Sequence, residues 1–200
     1  MTYLEEYASL IDHNEIVVGH WIKKEVRNLI RDLQDSRWVY DTAEAEKRIR
    51  FMEGFCLQSK APYYMKPVVL MPWQKAWFEV LYSFHNADSG LRRFTDALME
   101  IARKNGKSLL AAAINAYIFY LEPDYGKRLF MVAPKLDQAR IVYDALYQMI
   151  LKDHEMAEMT QKRRTDLYIE SNNSSAQPLA FSAKKSDGLN ISLGILDEAA

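Results

Sequence analysis

The sequence FTDALMEIARKNGKSLLAAA, residues 94–113, gives the clearest indication of the fold of this 200-residue chain. It predicts a short strand that begins at Phe94, a tight basic loop and then an apolar helix, which is the order of parts in a phosphate-binding loop. Such a loop meets phosphate with backbone N–H groups, the positive end of a helix and a lysine. Gly106 lets the backbone approach closely, Lys107 can reach the β- and γ-phosphates, and the Ser108 hydroxyl can bind Mg²⁺.

This loop departs at one position from the usual pattern G-x-x-x-x-G-K-[ST]. Ile101 stands where the first glycine is expected, and the remaining Gly-Lys-Ser is a weak signal by itself. The alternative interpretation is that Arg103, Lys104 and Lys107 form a solvated basic turn before a core helix. The loop alone leaves both interpretations open.

A second motif closes the chain, where ISLGILDEAA at residues 191–200 is an apolar run that ends on two adjacent carboxylates. This is the form of a Walker B strand, in which Asp197 would hold Mg²⁺ and Glu198 would orient or deprotonate the attacking water. A lone Asp-Glu pair is also explained by a helix cap followed by a solvated acid. The two motifs in this order, roughly 90 residues apart, favour a nucleotide site.

Composition and charge narrow the class of protein. The chain is 49% hydrophobic, which suffices for one sizeable core, and its net charge of -1 argues against a protein that coats nucleic acid. Its one cysteine, Cys56, permits no intrachain disulfide and is interpreted as a small buried hydrophobe in a reducing compartment. The four histidines show no metal-ligand spacing. No signal peptide or membrane-spanning run is recognisable, so we expect a soluble protein of the cytoplasm.

Strands and helices alternate along the chain. Amphipathic helices are predicted from Val18 to Leu33 and from Asp41 to Phe55, before the sheet begins. Further along, the pattern predicts a buried strand over 128–133, a helix after Pro134, an irregular charged segment, a strand, a polar loop and a second strand. The last four are expected at residues 152–164, 166–170, 171–175 and 178–182. The prediction is an α/β fold of the P-loop NTPase type, a mainly parallel sheet flanked by helices, with a helical N-terminal arm.

The domain prediction places the helical arm at residues 1–60 and a P-loop ATPase core, incomplete at its C-terminus, at residues 61–200. Within the core, Pro72 suits the first turn of a helix over Trp73–Phe84. Gln74 in that helix could read an adenine, since its amide offers a donor and an acceptor side by side. The alternative is an exposed glutamine at a helix start.

Together these features resemble the N-terminal ATPase domain of the large terminase subunit of tailed bacteriophages. The resemblance covers most of residues 18–200, and the loop ARKNGKS without its leading glycine is its most specific part. The other matching segments are Asp41–Phe55, Pro67–Gln74, Arg92-Arg93-Phe94, Val132-Ala133-Pro134 and Leu196-Asp197-Glu198.

This resemblance implies ATP and Mg²⁺ as cofactors. It implies that the nucleotide contacts the loop Arg103–Ser108 and Gln74, that Ser108 and Asp197 hold the metal, and that Glu198 and Lys107 are catalytic. Arg103 resembles the loop arginine that senses the γ-phosphate, although a solvated loop arginine is the alternative. The family packages double-stranded DNA into procapsids in the host bacterial cytoplasm. The implied partners are therefore DNA, a terminase small subunit, a portal protein and further copies of the chain in a ring.

Two departures from the family pattern remain. Many relatives carry an arginine before the Walker B strand that reaches a neighbour's ATP, whereas this sequence offers Lys184, Lys185 and Asn190. The sequence also stops two residues after Glu198, so we expect the coupling-motif strand and the nuclease domain to be absent from these 200 residues. Two alternatives stay open, namely a nucleotide- or partner-binding fragment without independent turnover, and a helicase-like P-loop ATPase.

Overall fold

A computed structural model of the chain describes residues 1–58, 60–102, 104–181 and 190–197. The chain divides into two compact units. The first comprises Met1–Glu53 and Val69–Glu100, and the second comprises Gly54–Val68 and Ile101–Ala200. These limits differ from the predicted division at residue 60, which was drawn from sequence alone and stays a prediction.

Helices dominate the first unit. Its elements in chain order are α1 (Tyr3–Asp12), α2 (His20–Asp32), β1 (Trp38–Tyr40), α3 (Ala43–Phe55, whose last two residues belong to the second unit), α4 (Pro72–Ser83) and β2 (Phe84–Asn86). Strands β1 and β2 pair antiparallel. The predicted helices of the N-terminal arm are therefore confirmed, although α1 and the two short strands were not predicted.

A core of buried side chains joins α1, α2 and α4 in this unit. Its members are Leu4, Tyr7, Ile11, Val26, Leu29, Ala76 and Phe84. The apolar face predicted for α2 is wrong at its first turn, because Trp21 is 74% exposed and Ile22 is 49% exposed. The periodicity is right, but the first turn of α2 lies outside this core.

Glu79 ties three elements of the first unit together. Its buried carboxylate accepts hydrogen bonds from the backbone N–H groups of Tyr3 and Leu4, both at 2.9 Å, and from the Tyr40 hydroxyl at 2.7 Å. The two N–H groups belong to the first turn of α1, where a negative charge is stabilised by the helix dipole. Burial and the bond to Glu79 raise the pKa of Tyr40, so its hydroxyl remains a donor.

We expect Glu79→Ala to lower the free energy of unfolding by about 2–4 kcal/mol, because it leaves two N–H groups and a hydroxyl buried without their acceptor. Urea unfolding followed by circular dichroism measures this loss. Glu6→Ala, which removes an exposed carboxylate from the same helical turn, is the control and should change stability by under about 0.5 kcal/mol. Equal effects of the two substitutions would contradict the role given to Glu79.

The second unit contains the sheet. Its elements in chain order are α5 (Lys107–Leu121), β3 (Arg128–Ala133), α6 (Leu136–Ile150), α7 (His154–Met159), β4 (Gln161–Lys162), β5 (Leu167–Ile169), β6 (Ser174–Ala180) and β7 (Leu193–Leu196). The spatial order of the strands is β4-β5-β6-β3-β7. Strand β3 pairs in parallel with both β6 and β7, and β4 and β5 extend the sheet antiparallel.

Packing in this unit follows from sequence. Strand β3 is a nearly continuous apolar run with its Leu129, Phe130 and Met131 buried, as expected for a strand covered on both faces. Helix α6 packs on β3 and β6, and α5 packs on α6. Nine of the fifteen residues of α5 are buried, which agrees with its apolar composition. The predicted α/β fold with a mainly parallel sheet is confirmed.

Three predictions of local structure are wrong. Residues 94–102 form no strand, since no described residue pairs with them and the Phe94 ring instead packs against Phe84 of the first unit. Ser174 and Ser175 belong to β6 rather than to a loop, because Ser175 pairs with Arg128 of β3 and both serines pair with β5. The segment 152–164 is not irregular, because it contains α7, capped by Asp153, and β4.

Among the described residues, no helix combines the length and the apolar character that crossing a membrane requires.

Candidate functional site

The loop before α5 has the backbone conformation of an anion site. Gly106 is the residue before the helix and has a φ of +78°, a left-handed conformation that glycine adopts without strain. Lys104, two residues earlier, also has a positive φ of 68°. The Gly106 carbonyl accepts the first bond of the helix, from the Leu110 N–H at 2.9 Å. The N–H groups of the first turn of α5 therefore remain available to an anion.

Asp197 stands directly after β7, at the carboxyl end of the parallel strands. Its backbone N–H donates to the Val132 carbonyl of β3 at 2.8 Å, which continues the pairing of Val132 with Leu196 by one residue. Strands β3 and β7 run in the same direction, so both end at this edge of the sheet. In open α/β sheets, ligands bind beyond the carboxyl ends of the strands.

Lys107 and Asp197 meet in an ion pair at this edge. The Lys107 Nζ lies 2.6 Å from the Asp197 Oδ1. The lysine side chain is 42% exposed and the aspartate side chain is 12% exposed, so the pair is open to solvent on the lysine side. The two sequence motifs, 90 residues apart, are thus brought into direct contact at one site.

These donors fit a magnesium-bound nucleotide. Mg²⁺ in proteins is held by one or two oxygen side chains, by waters and by the phosphates of the substrate. Asp197 supplies a carboxylate, which in this structure holds the ammonium of Lys107, and Ser108 in the first turn of α5 supplies a half-buried hydroxyl. Lys107 and the helix N-terminus supply the positive charge that phosphates require.

The family model described as "Terminase large subunit, ATPase domain" matches residues 72–200. The chain belongs to this family. Membership in a family of ATPase domains indicates nucleotide binding. The matched residues include Lys107, Ser108 and Asp197.

Two similar proteins, one of them also as a solved structure, support this membership. The large terminase subunit of Enterobacteria phage HK97 is 28% identical over 157 residues, which are 76% of this chain and 30% of the relative. The terminase large subunit of Lactococcus phage p2 is 24% identical over 148 residues, 72% of this chain and 26% of the relative. The crystal structure of the HK97 large terminase matches with a TM-score of 0.64 and 28% identity, over 77% of this chain and 31% of the other. The chain therefore spans under a third of these relatives.

The structure does not describe every site residue that the sequence predicts for this terminase ATPase domain. Arg103, Glu198, Lys184 and Lys185 lie outside the described residues. Lys104 and Asn105 are exposed in the loop, and the Asn105 amide donates to the Ala102 carbonyl at 3.0 Å. The ion pair between the two motifs was not predicted. The signal that could have predicted it is that both motifs lie beside the same edge of the sheet. The individual roles of these residues stay predictions.

Gln74 lies in the first unit, and its environment differs from the alternative interpretation of the sequence. It is 7% exposed, so the alternative of an exposed glutamine at a helix start is wrong. Its Oε1 accepts the Met71 N–H at 2.8 Å and so caps the first turn of α4. The Nε2 group of the same amide is its hydrogen-bond donor. An adenine-reading role would use this amide N–H donor, and that role stays a prediction.

Other reactive side chains form no second centre in the described residues. Cys56 is fully buried, and burial raises the pKa of its thiol to about 12, which keeps the thiol protonated and unreactive. Within residues 1–58, 60–102, 104–181 and 190–197, no three His, Cys, Asp or Glu side chains are grouped to hold a metal ion.

The ion pair leads to a prediction about metal dependence. Without Mg²⁺, the Asp197 carboxylate repels phosphate and holds Lys107, so Asp197→Asn should raise the affinity for metal-free ATP about three- to tenfold. The same substitution should reduce the gain in affinity on adding Mg²⁺ to under about twofold. Titration with a fluorescent ATP analogue, in EDTA and then in Mg²⁺, measures both effects.

Asp88→Asn, an equal change at an exposed position of the first unit, is the control and should leave both affinities unchanged. Unchanged metal-free affinity in Asp197→Asn would contradict the placement of phosphate beside Asp197.

Proposed function

We propose that this chain is the ATP-binding and ATP-hydrolysing motor domain of a phage terminase large subunit, which drives double-stranded DNA into procapsids. The observation that carries the proposal is the contact of Lys107 with Asp197 at the carboxyl edge of the sheet, beside the N-terminus of α5. Family membership over residues 72–200 supports the same activity.

In this proposal the nucleotide's phosphates bind over Gly106, Lys107 and Ser108. The first-turn N–H groups of α5 hold the phosphate oxygens, and Lys107 exchanges Asp197 for the β- and γ-phosphates. Mg²⁺ bound there neutralises charge on the phosphates. Asp197 and Ser108 supply the protein oxygens that hold it. Since Lys107 is positioned before reaction, it stabilises the charge that develops on the transferred phosphoryl group.

Glu198 directly follows the metal-holding Asp197 in sequence. We assign it the orientation or deprotonation of the attacking water, the role that an acid in this position has in ATP hydrolysis. Arg103 is assigned to the γ-phosphate and Lys104 and Asn105 to the phosphate loop. Gln74 is assigned to the adenine, through the N–H₂ group of its side-chain amide.

The partners follow from the proposed motor. They are double-stranded DNA, a terminase small subunit, a portal protein and further copies of the chain in a ring, in the cytoplasm of the host bacterium. The matched relatives are phage proteins named as large terminase subunits, which supports these assignments.

One experiment separates the proposal from the alternative of a nucleotide-binding fragment without turnover. It is a calorimetric titration with Mg²⁺·ATP, run beside a phosphate-release assay. Binding with phosphate release is the expected result. Binding without release would favour a nucleotide-binding unit that needs other residues for turnover, and no binding at millimolar ATP would overturn the proposal. A helicase-like ATPase is disfavoured by the family match.

A further inference from the structure

Four basic side chains of the second unit lie over tyrosine rings. The distances from the cationic atom to the ring centroid are 5.6 Å for Lys66 over Tyr63, 4.6 Å for Lys152 over Tyr64, 4.0 Å for Lys162 over Tyr147, and 3.9 Å for Arg163 over Tyr168. These eight residues are called the cation–tyrosine surface below. Such pairs hold a cation in place. Arg163 also forms an ion pair with the buried carboxylate of Asp166, so its charge is neutralised within the unit.

The pairs follow one another across the unit. Tyr63 and Tyr64 belong to a loop closed by backbone bonds between Gln58 and both Met65 and Lys66. The Lys152 Nζ donates to the Tyr64 hydroxyl at 2.7 Å and so connects this loop to the end of α6.

From α6 the surface continues onto the sheet edge. Tyr147 lies in the last turn of α6 and receives Lys162 from β4. The next residue, Arg163, covers Tyr168 of β5, the strand that pairs with β4.

Charge on this surface is locally positive. Residues 57–66 and 152–164 carry six Lys or Arg against three Asp or Glu, whereas the chain as a whole carries 26 against 27. One of the three acids, Asp153, caps α7. Lys66, Lys152 and Lys162 form no ion pair with any described residue. Their charges are therefore available to an external anion.

We propose that the cation–tyrosine surface binds the phosphate backbone of duplex DNA. Duplex DNA presents one negative charge about every 1.7 Å along its axis, so several fixed cations can bind its phosphates at the same time. Single-stranded nucleic acid would instead need open aromatic faces on which bases stack. Here each ring already has a face covered by a cation, and Tyr147 and Tyr168 are half-buried. The choice of DNA as the polyanion rests on the proposed function.

The test measures fluorescence anisotropy of a labelled random-sequence duplex with the chain, without nucleotide, over a series of salt concentrations. Lys152→Ala combined with Lys162→Ala should weaken binding about tenfold and reduce the salt slope by about 2. The matched control is Lys23→Ala with Lys24→Ala, which removes the same charge near an exposed ring, Trp21, of the other unit. The control should bind within twofold of the unaltered chain. Lys152→Arg with Lys162→Arg should retain binding.

Three results would overturn the proposal. These are no duplex binding by the unaltered chain at low salt, equal losses in the two alanine pairs, and tighter binding of a single-stranded oligonucleotide than of the duplex. Circular dichroism melting of every variant checks that folding is kept. ATP binding is measured separately on the same samples, so failure of the DNA surface is distinguished from failure of the nucleotide site.

Discussion

Lys107→Ala is expected to lower the affinity for Mg²⁺·ATP by about 30- to 1,000-fold, because it removes charge-assisted bonds to the phosphates that together contribute about 2–4 kcal/mol. The substitution also leaves the Asp197 carboxylate without the ammonium that lies 2.6 Å from it. Isothermal titration calorimetry of the two proteins measures the change directly.

Two further variants sharpen this prediction. Lys24→Ala, which removes an exposed lysine of α2, should leave ATP affinity unchanged and controls for net charge. Lys107→Arg should give an intermediate affinity, because guanidinium keeps the charge but presents a different geometry to phosphate. If Lys107→Ala binds ATP as tightly as the unaltered chain, the assignment of the phosphate loop is wrong.

Glu198→Gln is expected to reduce phosphate release by about 10²- to 10⁴-fold while ATP affinity stays within about threefold. The reason is that glutamine keeps the size of the side chain but cannot accept a proton from the attacking water. A coupled phosphate-release assay and calorimetry on the same preparation separate turnover from binding.

The matched control is Glu170→Gln, the same change at an exposed position whose side chain bonds only to Gln161 among the described residues. It should leave both quantities unchanged. Loss of ATP binding in Glu198→Gln, with turnover per bound nucleotide preserved, would contradict the role given to Glu198.

The site could be predicted from sequence to the extent that its chemistry is local. Gly106, Lys107 and Ser108 are adjacent in the chain, and Asp197 ends an apolar strand, so each residue carries its own signal. The contact between Lys107 and Asp197 depends on how β7 pairs with β3, which no local pattern encodes. Gln74 shows the same limit, because its burial and its bond to Met71 depend on the packing around α4.

Fold prediction succeeded where hydrophobic periodicity was strong. It failed where the pairing of strands determines which residues belong to the sheet. Strand β3 and helices α5 and α6 have long, unambiguous apolar patterns. Ser174 and Ser175 have the composition of a loop, yet pairing with β5, and at Ser175 also with β3, places them in β6. Conversely, residues 94–102 have the composition of a strand but no described partner, and unpaired backbone groups do not sustain a strand.

Mg²⁺·nucleotide is expected to bind at the N-terminus of α5, against Asp197. The most direct test of this binding is a titration of ¹⁵N-labelled protein with a non-hydrolysable ATP analogue and Mg²⁺, followed through the backbone amide resonances. Saturable shifts are expected at Gly106, Lys107, Ser108 and Asp197, and they should disappear in Lys107→Ala. Saturable binding with shifts confined to other residues, or no shifts at millimolar analogue, would contradict this expectation.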